Sequence, residues 1–160
     1  MIPSVPRISL RPIRDEDLPF LLSVYASSRQ EELDQVVWGP GQREAFLAQQ
    51  FGAQHAWWQE HYAGATFDLI EVDSVPAGRF YVHRGSNDIR VVDIALLPGY
   101  RGSGVGSRLL EGVFEEADGA GKRVSVHVEK FNPARRLYQR LGFQEAEDKG
   151  VYLLMVRPAS

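Results

Sequence analysis

The order of the predicted elements indicates a mixed α/β fold built around one sheet. Short apolar stretches typical of strands alternate with longer stretches in which apolar residues recur every three to four positions, the period of a helix with one buried face. Two pairs of strands are close enough in sequence to form hairpins, at 67–83 and 143–157. The chain has no internal repeat, low-complexity stretch or linker. We therefore predict a single domain, residues 1–160.

The first 66 residues are predicted to hold one strand and two helices. The strand covers 7–13, the first helix runs from an N-cap at Asp15 to about residue 27, and the second covers about 42–62. The rest of the chain carries more strands. These are predicted at 67–73, 79–83, 89–98 and 122–128, with a turn from Ser74 to Gly78 and a terminal hairpin. One helix follows a glycine-rich loop at 100–106, and another has Asn132 as its N-cap and Pro133 as its first residue.

Composition excludes several classes of protein. The chain is 44% hydrophobic and 24% charged, which is ordinary for a globular domain, and its net charge of -3 argues against nucleic acid as a partner. No apolar run approaches the ~20 residues that span a bilayer, and the N-terminus lacks a signal-peptide pattern, so we expect a cytoplasmic protein without a membrane partner. Without cysteine there is no disulfide, thiolate ligand or cysteine nucleophile. His55 and His61 are six residues apart, which does not match ligands on one helix face, and we predict no metal.

The stretch "YRGSGVGSRLLEGVF", residues 100–114, raises the question of function. Gly102, Gly104 and Gly106 precede an amphipathic helix that glycine would weaken. A tight turn needs fewer glycines, a dinucleotide-binding loop reads G-x-G-x-x-G, and the phosphate-binding loop of nucleoside triphosphatases ends in Gly-Lys-Ser/Thr, whereas this loop ends in Gly106-Ser107-Arg108. The remaining interpretation is an anion site at a helix N-terminus, where free N–H groups meet the ligand and Arg101 adds a cation.

Two motifs carry a resemblance to a known family. "YRGSGVGSRLL" resembles the Arg/Gln-x-x-Gly-x-Gly/Ala pyrophosphate loop of the GNAT superfamily of acetyl-coenzyme A-dependent N-acetyltransferases. It follows a strand, "VVDIALLP", as in that family, and "NPARRLYQRLGF" at 132–143 resembles a second signature. The resemblance covers residues 67–157, the acetyl-CoA-binding core, whereas 1–66 would supply the strand and helices that shape the acceptor side.

The resemblance implies a fold and a set of ligand contacts. The fold would be a mixed, mostly antiparallel sheet of six to seven strands, splayed between the fourth and fifth, with about four helices on its faces. Backbone N–H groups of the loop would hold the pyrophosphate of acetyl-CoA, the last residues of the preceding strand would pair with the pantetheine arm, and Asn132 would contact that arm. The loop residues are Arg101, Gly102, Ser103, Gly104, Val105, Gly106 and Ser107, and the strand residues are Leu96 and Leu97.

Catalytic roles follow in part from the resemblance. It implies that Tyr138 returns a proton to the leaving thiolate, although helical spacing alone favours a core tyrosine. With no cysteine, direct attack by the amine in a ternary complex is the natural route, and a backbone N–H of Leu96 or Leu97 would stabilise the oxyanion. Two residues are candidate bases: Asp93, the sole charge in the run 91–97, and His127. We expect both to line the cleft, although Asp93 could instead pair with Arg90 or His83.

The acceptor is the least specified part of the prediction. Carboxylates would suit a cationic amine and aromatic rings would add cation–π contact. The candidates are Glu31, Glu32, Trp38 and Tyr62, whose alternative roles are a solvated face for the glutamates and core for the aromatic residues. The predicted function is transfer of acetyl to a primary amine of a small molecule, peptide or protein, by a monomer or homodimer. The alternative is a non-catalytic acyl-CoA-binding module.

Overall fold

The computed structural model describes residues 5–130, 132 and 134–160. Its elements agree in kind and order with those predicted, apart from one added short helix. They are β1 (Ile8–Pro12), a 3-10 turn (Asp15–Asp17), α1 (Leu18–Ser28), α2 (Gln30–Leu33), α3 (Gln42–His61), β2 (Thr66–Val72), β3 (Val75–Arg84), β4 (Asp88–Leu96), a 3-10 turn (Pro98–Tyr100), α4 (Val105–Ala120), β5 (Arg123–Glu129), α5 (Ala134–Arg140), β6 (Gln144–Asp148) and β7 (Tyr152–Arg157).

The strands form one mixed sheet in the order β1-β2-β3-β4-β5-β7-β6. β1 pairs antiparallel with β2, β7 pairs antiparallel with β5 and β6, and β4 runs parallel to β5. The predicted mixed, mostly antiparallel sheet of six to seven strands is confirmed. Within the described residues, β4 and β5 pair over 88–91 and 123–126 and both continue beyond, as a sheet splayed at this point requires.

The chain forms two compact units, and β3 and β4 run through both. Unit 1 comprises Met1–Phe80 and Ala95–Arg101, and unit 2 comprises Tyr81–Ile94 and Gly102–Ser160. The single domain predicted from the sequence stays a prediction.

The core of unit 1 lies between α1 and α3. On each helix, apolar residues four positions apart lie on the same face, and these two faces pack against each other. The buried set is Leu21, Tyr25, Leu33, Leu47 and Phe51. The rings of Tyr25 and Phe51 meet edge to face at 6.0 Å.

In unit 2, α4 and α5 cover one face of the sheet. Alternate residues of β5 form that face, namely Val124, Val126 and Val128, and all three are buried. Phe114 of α4 contacts Phe143, the residue before β6, at 5.6 Å. Arg157 of β7, paired with Val124, places its guanidinium 4.3 Å from the Phe114 ring and bonds Asp118. The opposite face of β5 therefore carries Ser125 and His127.

The cap before α1 differs from the predicted one. Asp17 takes the place assigned to Asp15: its carboxylate accepts the Arg14 N–H at 2.7 Å and both Arg11 Nη atoms at 2.8 Å. These hydrogen bonds, led by those from Arg11, lower the pKa of Asp17 from 3.8 to about 2. Because a 3-10 turn precedes α1, the carboxylate that reaches back to the Arg14 N–H is that of Asp17, two residues after the predicted Asp15.

We predict that Asp17→Asn lowers the free energy of unfolding at neutral pH by about 1–3 kcal/mol, because an amide cannot replace the charged pair. Since the folded pKa is depressed, the carboxylate's contribution is full above the unfolded value and is lost as pH falls from 3.8 towards 2. Urea unfolding at pH 7 and pH 3 measures this. The control is Glu16→Gln, which changes the exposed neighbour of Asp17 in the same turn, and an equal loss in both variants would contradict the prediction.

Candidate functional site

Two glycines of the loop have a backbone conformation that other residue types adopt only with strain. Gly102 and Gly104 lie in the left-handed region, with φ of +72° and +87°. Gly104 is the N-cap of α4, and its carbonyl accepts the Arg108 N–H at 3.1 Å. Within the described residues, the N–H groups of Val105, Gly106 and Ser107 have no backbone acceptor. A Cβ on either left-handed glycine would meet nothing within 4 Å, so there is room for a ligand beside the backbone.

The two candidate oxyanion donors at the end of β4 differ in whether their N–H group is already hydrogen-bonded. The Leu97 N–H donates to the Ala77 carbonyl of β3 at 2.8 Å and is therefore occupied. Because successive peptide groups of a strand point to opposite edges, the Leu96 N–H points to the other edge of β4. The Leu96 carbonyl accepts from Arg101 Nε at 2.9 Å, and Arg101 Nη2 also lies 3.4 Å from the Ser27 hydroxyl. Of the two amides, that of Leu96 is the donor the strand leaves available.

Tyr138 has the core position that its helical spacing predicts, and its role as an acid stays a prediction. Its side chain is 5% exposed and its ring meets Phe143 edge to face at 5.4 Å, so the ring is core. Burial, together with the negative charge of Asp93, raises the pKa of the Tyr138 hydroxyl. The phenol is therefore a neutral O–H donor at physiological pH.

The structure does not bring Asp93 and His127 together. Val91 pairs with Val126, so odd-numbered residues of β4 lie level with even-numbered residues of β5. Asp93 accordingly follows Val91 on the face covered by α5, where its charge reaches Tyr138. His127 follows Ser125 on the opposite face. The two candidate bases thus occupy neighbouring strands, as expected, but different faces of the sheet.

His127 ends a line of hydrogen bonds that the sequence analysis did not find. Ser125 Oγ donates to Asp88 at 2.7 Å, Arg90 Nε donates to Ser125 Oγ at 2.7 Å, and Arg90 Nη1 lies 3.1 Å from His127 Nδ1. Burial, then Arg90 and Lys149, lowers the pKa of His127. Alternate polar residues on both strands were the signal that could have revealed this line. Arg90 lies at the centre of this line of hydrogen bonds, between Ser125 and His127.

The four candidate acceptor residues do not form one group. Glu32 pairs with Arg29 at 2.6 Å. Trp38 packs on Phe46 at 5.4 Å and donates its indole N–H to the Leu33 carbonyl, so it belongs to the core of unit 1. Tyr62 follows the last residue of α3, about 24 Å along the helix from Phe46 at ~1.5 Å per residue. Glu31 is exposed and, within the described chain, has no ion-pair partner.

Asn132 has the capping role that the sequence predicts. Its side-chain oxygen accepts the Ala134 N–H at 2.9 Å, just before α5. Pro133, predicted as the first helical residue, lies outside the described residues. The predicted contact of Asn132 with coenzyme A stays a prediction.

A surface cavity of about 320 Å³ in unit 1 is lined by none of the predicted site residues. It lies beside Ile13, Gln59 and Thr66. In the part of the chain that the structure describes, no helix combines the length and apolar character needed to cross a bilayer.

Comparison with known proteins identifies the class. The sequence profile of the acetyltransferase (GNAT) family matches residues 24–143. No curated protein sequence matches the chain. The structure is similar to PaiA N-acetyltransferase from Thermoplasma acidophilum in complex with coenzyme A, with a TM-score of 0.71, 18% identity, and coverage of 95% of this chain and 99% of that one.

Two further solved structures have the same fold. An acetyltransferase from Thermus thermophilus gives a TM-score of 0.70 at 22% identity, with 94% of this chain and 96% of that chain covered. Arabidopsis thaliana Naa50, in complex with the bisubstrate analogue CoA-Ac-MVNAL, gives 0.56 at 18%, with 93% and 96% covered. The chain belongs to the GNAT acetyltransferase family, which is a family of acyltransferases.

Proposed function

We propose that this protein transfers acetyl from acetyl-CoA directly to a primary amine of a small molecule, peptide or protein. The observation that carries the proposal is the loop from Gly102 to Ser107. Its left-handed glycines leave the first N–H groups of α4 open, in a chain of an acetyltransferase family. The bisubstrate analogue bound by the Arabidopsis relative supports direct transfer, because it joins the coenzyme and a peptide in one molecule.

The proposal assigns the coenzyme to backbone groups. Open N–H groups at a helix N-terminus favour an anion such as pyrophosphate, and Arg101 adds a positive charge. Arg101 would exchange its contacts with Leu96 and Ser27 for the phosphates, which would free the Leu96 carbonyl for the pantetheine arm. Ser103, Gly104, Val105 and Gly106 complete the loop, and Asn132 is proposed to contact the arm.

The chemistry uses three groups of this chain. The neutral amine attacks the carbonyl carbon of the thioester, the Leu96 N–H stabilises the oxyanion, and the C–S bond then breaks to give an amide and a thiol. Tyr138 donates a proton, or its hydrogen bond, to the leaving sulfur. Asp93 accepts the proton that the amine loses, through a water, and solvent returns a proton to Tyr138. The opposite face of β5 is not used in this scheme.

The alternative is an acyl-CoA-binding module without turnover. Both proteins would bind the coenzyme, so binding alone does not separate them. Release of thiol from acetyl-CoA in the presence of an amine distinguishes the enzyme from the binding module. A panel that pairs acetyl-CoA with small amines, polyamines and peptides with free N-termini tests this, and binding without release from any of them would favour the module.

We predict that acetyl-CoA at 100 times its Kd stabilises the protein by about 2.7 kcal/mol, seen as a rise in Tm. Gly104→Val should abolish this rise, since a β-branched side chain disturbs the left-handed N-cap. Gly64→Val is the matched control, because Gly64 has a similar φ of +86° and equally open surroundings outside the loop. The assignment is wrong if millimolar acetyl-CoA does not change the Tm of the wild type. It is also wrong if Gly64→Val loses the response as fully as Gly104→Val.

A further inference from the structure

The carbonyl of Leu96 is the acceptor that a strand-like ligand needs at the edge of β4, and Arg101 already occupies it. The Leu97 N–H pairs with the Ala77 carbonyl of β3, so the N–H and C=O of Leu96 both point to the opposite edge. Arg101 Nε donates to the Leu96 carbonyl oxygen at 2.9 Å. This is an ordinary N–H···O distance, so Nε takes the place of the N–H that an added strand would bring to this oxygen.

Local structure within unit 1 holds the guanidinium at this edge. The 3-10 turn after β4 folds the backbone back on itself, with the Arg101 N–H bonded to the Pro98 carbonyl at 3.3 Å, so that the Arg101 side chain reaches Leu96. Arg101 Nη2 also lies 3.4 Å from the hydroxyl of Ser27 on α1. That hydroxyl donates its proton within its own helix, which leaves its oxygen to accept from Arg101. The guanidinium is therefore held at two of its nitrogens.

Both of these partners are uncharged, and a phosphate would be a stronger one. A guanidinium keeps its positive charge and can only donate, and its bonds to phosphate join two charged groups and are often bidentate. Arg101 is exposed, so a phosphate can reach it. A donor molecule with a pyrophosphate can therefore draw Arg101 away from Leu96. A pantetheine arm alone brings an amide N–H that competes with Arg101 for the same carbonyl, and it brings no anion in exchange.

We propose that Arg101 selects the acyl donor. Its guanidinium covers the Leu96 carbonyl in the free protein and leaves it when phosphates of the same donor molecule bind. A pantetheine thioester without phosphates meets a covered carbonyl and binds weakly. This inference rests on the proposed function and narrows the donor to thioesters that carry the pyrophosphate. Arg101 is then a specificity-determining residue with opposite effects on the two halves of the coenzyme.

The first test compares two donors in Arg101→Met, which keeps an unbranched side chain but has no N–H donor. S-acetyl-pantetheine should bind about fivefold tighter to the variant than to the wild type, whereas acetyl-CoA should bind about tenfold weaker. Titrations followed by NMR give the Kd values, and the Tm without ligand shows that the variant is folded. A residue that only attracts phosphates would leave the Kd of S-acetyl-pantetheine unchanged, and one that only supports the loop would weaken both donors. Either result overturns the proposal.

Arg108→Met is the matched control for the loss of charge. Arg108 is also an exposed arginine of this motif, in the first turn of α4. Its replacement removes one positive charge and leaves the bond between Arg101 and Leu96 intact. S-acetyl-pantetheine should bind to this variant with the Kd of the wild type. If it binds as much tighter to Arg108→Met as to Arg101→Met, the gain does not come from the uncovered carbonyl and the proposal is wrong.

The second test supplies the two halves of the donor as separate molecules. The adenosine bisphosphate half of coenzyme A should draw Arg101 away and tighten the binding of S-acetyl-pantetheine to the wild type by about fivefold, and linkage requires the same factor in the reverse direction. In Arg101→Met this coupling should disappear. Independent binding of the two halves to the wild type contradicts the proposal, as does equal coupling in the variant.

Both tests measure binding without turnover, so they separate this inference from the proposed function. If the wild type does not bind acetyl-CoA, or binds it and acetylates no amine, the proposed function fails. If acetyl-CoA binds and an amine is acetylated, but Arg101→Met changes the affinity for both donors in the same direction, the selection by Arg101 fails alone.

Discussion

Tyr138→Phe is expected to lower kcat by about 100-fold while acetyl-CoA binding and stability change little. The phenol ring is core, packed on Phe143, and phenylalanine keeps that packing. The change therefore removes a proton donor to the leaving thiolate and almost nothing else.

Two measurements isolate that loss. Steady-state kinetics should show the fall in kcat, and titration of coenzyme A should show an unchanged Kd. Because burial raises the pKa of Tyr138 above its usual value of 10, the acid stays protonated below that pH and its contribution is lost only as pH rises through the raised value. The wild-type rate should therefore show no decline due to Tyr138 ionisation below pH 10.

The control for Tyr138→Phe is Tyr81→Phe, since Tyr81 is also fully buried in unit 2 but belongs to neither motif. It should retain wild-type turnover. An unchanged kcat in Tyr138→Phe would return this residue to a purely structural role, and a similar fall in both variants would show that packing, not proton donation, is being measured.

The glycine loop and its helix could be predicted because their signals are local. The left-handed backbone at Gly102 and Gly104 depends on residue type, and the apolar period after Gly106 defines the helix. The same holds for Asn132, whose capping bond to Ala134 is a contact over two residues. The short helix α2 was missed since four residues are too few to show a period.

The arrangement of Asp93 and His127 could not be read from either strand alone. Alternation gives the face of each residue within its own strand, but not which face of one strand matches which face of the next. The register does this, and one residue of slip would exchange the faces. Pairing of Val91 with Val126 sets Asp93 towards α5 and His127 towards Arg90.

Whether the candidate acceptor residues are available to bind a ligand could not be read from the sequence, for a different reason. Trp38 and Tyr62 were chosen by chemistry, as aromatic residues suited to an amine, but burial decides whether such a residue is available. Trp38 is fixed by Phe46 and the Leu33 carbonyl, and Glu32 by Arg29. The type of a residue indicates what its side chain is able to bind, but packing determines which partners that side chain already has in the folded protein.

Gly78 shows how packing places the proposed catalytic backbone. The sequence assigned Gly78 to a turn after Ser74, but it lies within β3 and is buried. A Cβ there would overlap the Ala95 carbonyl oxygen and lie 3.0 Å from the Leu96 Cα. The absence of a side chain therefore allows β3 to approach the last residues of β4, where the Leu97 N–H meets the Ala77 carbonyl at 2.8 Å.

Gly78→Ala should lower the free energy of unfolding by about 3 kcal/mol, the upper part of the range for overpacking, because backbone rather than a flexible side chain blocks the methyl group. Where the variant folds, kcat should fall more than affinity for coenzyme A, since Leu96 carries the proposed oxyanion donor while the glycine loop stays intact. Gly52→Ala is the control in unit 1, for a Cβ on this exposed helical glycine meets nothing within 4 Å and alanine should add up to about 1 kcal/mol. Urea unfolding and steady-state kinetics of both variants measure these effects. A Gly78→Ala protein as stable and active as the control would show that β3 and β4 are not held at this distance.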